Sequence, residues 1–276
     1  MSDAPTGPDP VLLAEHTWQE CAEFARADRR VIIPLGSTEA HGPHLPMDVD
    51  THSADTVARM LAGRIDAVVA PVVPYGYAQM WMGFPGTMSL SPTTFIAVLT
   101  ELSMSLVKHG FRRIVLLNGH RPNGTSVDVA ARHVVDEVGT ADPLEISALS
   151  YWEPGAARVH AIRKSAVGGM GHACELETSV HLWSRPHLVH MDRLEGVETP
   201  LVGWDLVAPG PAARTYQVWP EAEAKDVAVF GDPSVATAES GEAFLEAIVG
   251  GLIGLFERLD RGEGGTYASR SEDDAD

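Results

Sequence analysis

The sequence predicts a single-domain α/β fold with three layers, α/β/α, and a mostly parallel sheet in the middle. Two observations carry this. Short apolar runs alternate along the chain with stretches of helical periodicity, the pattern of strands joined by crossover helices. No internal repeat or linker breaks the 276 residues, a length that lets one domain bury a substantial core.

Taken in order, a helix is expected over residues 18–27. Val31-Ile32-Ile33-Pro34-Leu35-Gly36 reads as a buried strand that stops at a loop. The loop itself, 37–50, is rich in glycine, proline, histidine and acid. Thr51 is expected to cap a helix over 51–61. Residues 67–73 form the next strand, followed by a glycine/aromatic loop over 74–87. Residues 93–109 have helical periodicity, with Phe95, Val98, Leu99, Leu102 and Leu106 on one face. A third strand, 113–117, runs into Asn118-Gly119-His120, and a helix follows over 126–138. A fourth strand at 145–151 and helices at 174–183 and 238–259 complete the series. Residues 1–10 read as a flexible leader, 11–261 as the folded domain, and 262–276 as an acidic, solvated tail.

Charge and composition exclude several classes. The net charge of −18 argues against nucleic acid and against anionic membrane surfaces, both of which need a basic face. The apolar stretch near 247–256 is too short and too broken by glycine to span a bilayer. The first residues have no basic and apolar signal-peptide pattern. Two cysteines, Cys21 and Cys174, form no disulfide framework, so a reducing cytoplasm is expected. A dinucleotide-binding or redox protein would show Gly-x-Gly-x-x-Gly opening a helix after a strand; Gly168-Gly169-Met170-Gly171 lacks that spacing.

The chemistry concentrates in Gly36-Ser37-Thr38-Glu39-Ala40-His41-Gly42-Pro43-His44-Leu45-Pro46-Met47-Asp48-Val49-Asp50. This strand-end loop packs several acids and two imidazoles, and its glycines and prolines let the backbone wrap around an ion. Carboxylate and imidazole ligands suit zinc, manganese or iron. A carboxylate shared by two cations makes a two-metal site in which water is activated near neutral pH. In an open parallel sheet such loops meet at the carboxyl ends of the strands. Glu39, His41, Asp50, His120 and Trp152 are therefore expected on one edge.

These residues resemble the creatininase (creatinine amidohydrolase) family. The resemblance rests on the loop above, on Phe84-Pro85-Gly86-Thr87, on Asn118-Gly119-His120-x-x-Asn123 and on His172-Ala173-x-x-x-Glu177-Thr178-Ser179, with Gly231-Asp232-Pro233 further on. It implies a creatininase-like fold and two divalent metal ions, zinc, manganese or iron. One ion is held by Glu39, Asp50 and His120, and the other by His41 and Asp50, with Asp50 bridging. The family's further carboxylate, two positions after His120, is replaced by Pro122. Glu175, an i, i+3 neighbour of His172 if both share a helix, is taken as the substitute ligand and catalytic partner, with Glu177 as its competitor. His172 is the expected proton carrier, since an imidazole both takes and gives a proton near neutrality.

For substrate, Trp152 matches one of the family's two ring-enclosing tryptophans, while Gly168 stands where the other belongs. Trp81 or Met82 is expected to line the site instead, with His44 as a further substrate group. Arg121 suggests an anionic substrate, because a guanidinium recognises carboxylate or phosphate. The resemblance thus implies a hydrolase of amide, cyclic amide or formamide C–N bonds in a small molecule, working through metal-activated water. The alternatives are a peptidase acting on a modified peptide precursor, as the family also contains, and a non-catalytic small-molecule binder. Homo-oligomers, hexamers among them, are expected by the same kinship.

Overall fold

The computed structural model describes residues 10–203, 205–207 and 227–263. The leader up to residue 9 and the tail from 264 lie outside the described residues. The main sheet has five strands, β1 (Val11–Leu12), β2 (Arg30–Leu35), β3 (Ala67–Val69), β4 (Arg113–Asn118) and β5 (Glu145–Ser150), in the order β1-β3-β2-β4-β5. Every pairing in it is parallel. Seven helices are described: α1 (Trp18–Arg26), α2 (Val49–Ala62), α3 (Pro92–Lys108), α4 (Gly124–Val138), α5 (Ala156–Ile162), α6 (Glu175–Ser184) and α7 (Ala238–Asp260). A short antiparallel ribbon, β6 (Met170–His172) with β7 (Phe230–Gly231), stands apart from the main sheet.

The three layers follow from strand alternation. On β2 and β4, Ile32, Val115 and Leu117 point to one face, where Val57 and Leu61 of α2, Val180 of α6 and Phe244 and Ile248 of α7 cover them. Val31, Ile33, Ile114 and Leu116 point to the other, against Phe95 and Leu99 of α3 and Val127 and Val134 of α4. A strand buried on both faces reads as a continuous apolar run, which is why Val31–Leu35 could be found without any alternation.

Several expectations need correction. α2 begins two residues before Thr51, whose hydroxyl instead donates to the Ser37 carbonyl at 3.0 Å. Asp50 consequently lies in the first turn of α2, rather than in the loop before it. The strand at 67–73 ends at Val69, although the chain keeps an isolated parallel bridge at Leu35↔Val73. The helix begun at residue 174 starts at Glu175, with Cys174 as its N-cap. β1, β6, β7 and α5 had no sequence expectation.

Leu35 at the end of β2 pairs with Asn118 at the end of β4, so the loops after both strands open at one level. Gly119 makes this closeness possible: a Cβ there would lie 2.4 Å from the Asp50 carbonyl oxygen. Gly119→Ala is expected to force α2 away from β4. Overpacking of this kind costs about 1–3 kcal/mol, to be read as a lowered Tm together with weaker metal binding. An unchanged Tm would show that the contact relaxes freely.

Candidate metal centre and active site

Glu39, His41, Asp50, His120, His172 and Glu177 come together at this edge, all buried. Three overlapping groups emerge: Glu39, Asp50 and His120; His41, Asp50 and Glu177; and Glu39, His41 and His172. In each, the potential donor atoms lie within 4.8 Å of one another.

The surrounding chain fixes each donor. His41 Nδ1 faces the Glu39 carbonyl at 3.2 Å, which leaves Nε2 for the centre. His120 Nε2 faces the Tyr77 carbonyl at 2.9 Å, which leaves Nδ1 facing Asp50 Oδ2 at 2.9 Å. His172 Nε2 donates to the Ala40 carbonyl at 2.8 Å, leaving Nδ1 3.7 Å from Glu39 Oε1. These tautomers follow from the carbonyl partners. Asp50 divides its oxygens: Oδ1 stands 3.3 Å from His41 Nε2, while Oδ2 faces His120. The Ser37 hydroxyl donates to Glu39 Oε2 at 2.8 Å.

Sequence reasoning missed the supports. Asn118 binds both the amide and the carbonyl of His120 through its side chain. Asn123 accepts from the Tyr77 amide and donates to the Gly36 carbonyl, joining three loops. Thr87 accepts from the Ala40 amide. Asn118, Asn123 and Thr87 all fall inside the quoted motifs, which was the available signal.

Glu39 Oε1, His41 Nε2 and Asp50 Oδ2 are nonetheless buried without a hydrogen-bond partner among the described residues. Such groups are costly unless something satisfies them. Donor atoms close together yet not aligned as hydrogen bonds fit a cation. Metal–ligand bonds of about 2.0–2.2 Å put neighbouring donors roughly 3–3.5 Å apart. The residues present therefore fit metal ions.

Charge coupling is strong. Burial, with help from Asp50, pushes the Glu39 carboxyl up to about 7 against the pull of His120. Burial also works to raise Asp50, but His41 and His120 outweigh it and hold it well below the usual carboxylate range. It opposes charge on both rings as well, yet Asp50 lifts His41 to about 10, and Glu39 with Asp50 lifts His120 to about 9. Burial and the neighbouring His41 charge push His172 far down.

Glu175 and His44 are corrected by this geometry. The Glu175 carboxylate accepts the Lys164 and Ser165 backbone amides at 2.8 and 2.9 Å and belongs to none of the three groups. Glu177 takes the place beside His41 and Asp50. Its Oε2 accepts the Cys174 amide at 3.3 Å, with the Cys174 thiol 3.6 Å away. The reason is local: Ala173 adopts a positive φ of 51°, so His172 ends a strand while Glu175 opens a helix, and no i, i+3 face joins them. His44 is fully buried against the Thr178 hydroxyl at 3.0 Å and does not line the pocket; burial and His41 lower its pKa to about 4.

The pocket over the cluster is lined by Met80, Trp81, Arg121, Trp152, Leu206 and Phe230 above Asp50, His120, His172 and Glu177. Trp81, Arg121 and Trp152 are thus brought to it, whereas Met82 is exposed and outside it. No side chain can stand at Gly168: its φ is +90°, and a Cβ would meet the Val202 carbonyl oxygen at 2.4 Å.

Fold and site together define a parallel α/β protein with a buried carboxylate–imidazole cluster at the strand ends. The creatininase family (creatinine amidohydrolase) matches residues 14–256, and the chain belongs to that family. Creatinine amidohydrolase of Pseudomonas putida is 33% identical over 259 residues, covering 88% of this chain and 94% of that one. The mycofactocin precursor peptide peptidase of Mycolicibacterium smegmatis is 34% identical over 235 residues, covering 83% and 84%. A solved structure, creatininase with manganese, superposes with a TM-score of 0.77 at 29% identity, covering 91% of this chain and 98% of that one.

Proposed function

We propose that this chain is a metal-dependent amidohydrolase that cleaves the C–N bond of a small, anionic substrate: an amide, cyclic amide or formamide. The observation that carries the reading is the set of buried, unpartnered donor atoms on Glu39, His41 and Asp50, the last of which lines a pocket together with His120, His172 and Glu177. Glu39, Asp50 and His120 would hold one divalent ion, and His41, Asp50 and Glu177 a second, with Asp50 shared. Oxygen and imidazole donors suit zinc, manganese or iron. Bound there, such ions polarise a carbonyl and make water acidic enough to attack near neutral pH.

The chain's own residues do the rest. His172 keeps its Nε2 proton on the Ala40 carbonyl, so Nδ1 is the atom that takes a proton and hands it to the departing nitrogen. Burial disfavours the charged form of the ring, so it rests neutral. Trp152 and Met80 give the pocket apolar walls, and Arg121 lines it with them.

In the described residues no helix is long and apolar enough to cross a membrane. The reading includes a cytoplasmic protein, supported by two unpaired cysteines, that assembles as a homo-oligomer like its kin.

The test is a substrate screen with the metal-reconstituted protein, covering cyclic amides, formamides and short peptides, with release of ammonia, amine or formate measured. Turnover of peptides alone would replace this reading with the peptidase one. No turnover and no bound metal would leave a binding protein. For the true substrate, Arg121→Ala is expected to raise KM at least tenfold while changing kcat little, since a lost charge-assisted contact costs about 1.5–3 kcal/mol of binding. An unchanged KM removes the anionic substrate from the reading.

A further inference from the structure

We propose that Trp81 is a positioning residue for His172, and not chiefly a wall of the substrate pocket; this rests on the amidohydrolase reading above. The indole of Trp81 stacks on the His172 imidazole, with ring centroids 4.1 Å apart and planes 15° from parallel. The opposite side of His172 faces the His41 ring, also at 4.1 Å and tilted by 37°. The Nε2 edge is pinned to the Ala40 carbonyl. The imidazole is therefore held on both faces and along one edge. The edge left is the one carrying Nδ1, which faces Glu39.

Trp81 is itself held. It lies in a short 3-10 turn, Gln79–Trp81, and is only 1% exposed, so little of it reaches a substrate. Phe84 and Phe230 pack on the indole with centroids at 6.1 and 5.6 Å. Phe230 belongs to β7, whose pairing with β6 places His172. The strand pair that carries the imidazole and the loop that carries the indole thus lock against each other through Phe230. An aromatic face is needed because it fills the flat slot beside an imidazole and prefers offset stacking. A branched aliphatic chain fills volume without fixing a plane.

The experiment compares Trp81→Phe, which keeps an aromatic face, with Trp81→Leu, which keeps apolar bulk only, in the zinc-loaded protein. Three things are read: bound zinc, the KM and kcat of the substrate found by the screen, and the long-range proton–nitrogen NMR spectrum of the imidazoles. The His172 signals are identified by their loss in His172→Phe. Misplacement of a catalytic group costs up to about 100-fold in turnover. A fall of at least tenfold in kcat is expected for Trp81→Leu, with KM within about threefold and zinc content unchanged. Trp81→Phe restores most of the loss. The NMR spectrum is expected to show a single Nε2-protonated His172 in the parent and Trp81→Phe, and mixed or broadened tautomers in Trp81→Leu. A single unchanged tautomer in Trp81→Leu, or a loss borne by KM alone, overturns the proposal. Because the tautomer is read without turnover, it tests Trp81 even if the screen finds no substrate and the amidohydrolase reading fails.

Discussion

Glu177→Ala is expected to leave the protein short of metal and to reduce turnover by well over 100-fold, whereas Glu175→Gln keeps the metal and lowers stability instead. The contrast follows from where two carboxylates only two residues apart are held. Glu177 stands with His41 and Asp50 within reach of one ion, and its Oε2 is oriented by the Cys174 amide. Groups that merely orient a ligand are worth about 10–100-fold in metal affinity or activity, and a ligand itself is worth more. Glu175 spends both oxygens on the Lys164 and Ser165 amides. Removing its charge weakens the anchoring of the 163–169 turn, a loss on the order of 1–3 kcal/mol for charge-assisted bonds. Metal content by atomic absorption, kcat and thermal unfolding separate the two variants. Full metal content in Glu177→Ala would return the question to Glu175.

The second large effect is on metal binding as a function of pH. Stripped of metal, the protein holds protons on His41 and His120 at pH 7, because their pKa values of about 10 and about 9 lie above the ordinary imidazole value. Metals take only the neutral ring. Binding must therefore expel these protons, and affinity is expected to climb steeply from about pH 7 to about pH 10, by up to tenfold per pH unit for each proton released. Stability of the stripped protein moves the other way. A ring whose pKa is raised by folding contributes fully below its unfolded value, and the contribution is lost as pH rises through the folded one. Here that loss runs from about 6.5 to about 10. The Tm gap between metal-loaded and chelator-treated protein is thus expected to widen as pH rises. Titration calorimetry with zinc in two buffers of different ionisation enthalpy counts the protons directly. A pH-independent affinity would mean that His41 and His120 are neutral before the metal arrives.

Much of this centre was legible in the sequence because one short segment carries Glu39, His41 and Asp50, and the end of the next central strand carries His120. Strand ends and their loops keep sequence order close to spatial order. The layers were legible for a related reason: β2 and β4 are buried on both faces and leave unbroken apolar runs. What failed was long-range or backbone-dependent. Choosing Glu175 over Glu177 assumed a helix that includes His172, and a single positive φ at Ala173 removed that assumption. No propensity announces such a residue when it is not glycine. The role of His44 was misread because burial against Thr178 depends on a helix more than a hundred positions away. The ribbon of β6 and β7 was invisible because each strand is two or three residues long and its partner lies in a distant segment.

That ribbon also divides the origin of the cluster. Glu39, His41, Asp50 and His120 sit on α2 and in the loops after β2 and β4, two strands that pair directly in the sheet. His172 comes from β6, which pairs with β7, and Glu177 comes from α6 between those two strands. Both pairings are long-range: Val31 meets Ile114 in the sheet, and His172 meets Phe230 in the ribbon. The cluster is thus assembled from two parts of the chain, and loosening the ribbon would release His172 while leaving Glu39, Asp50 and His120 together at the edge of the main sheet.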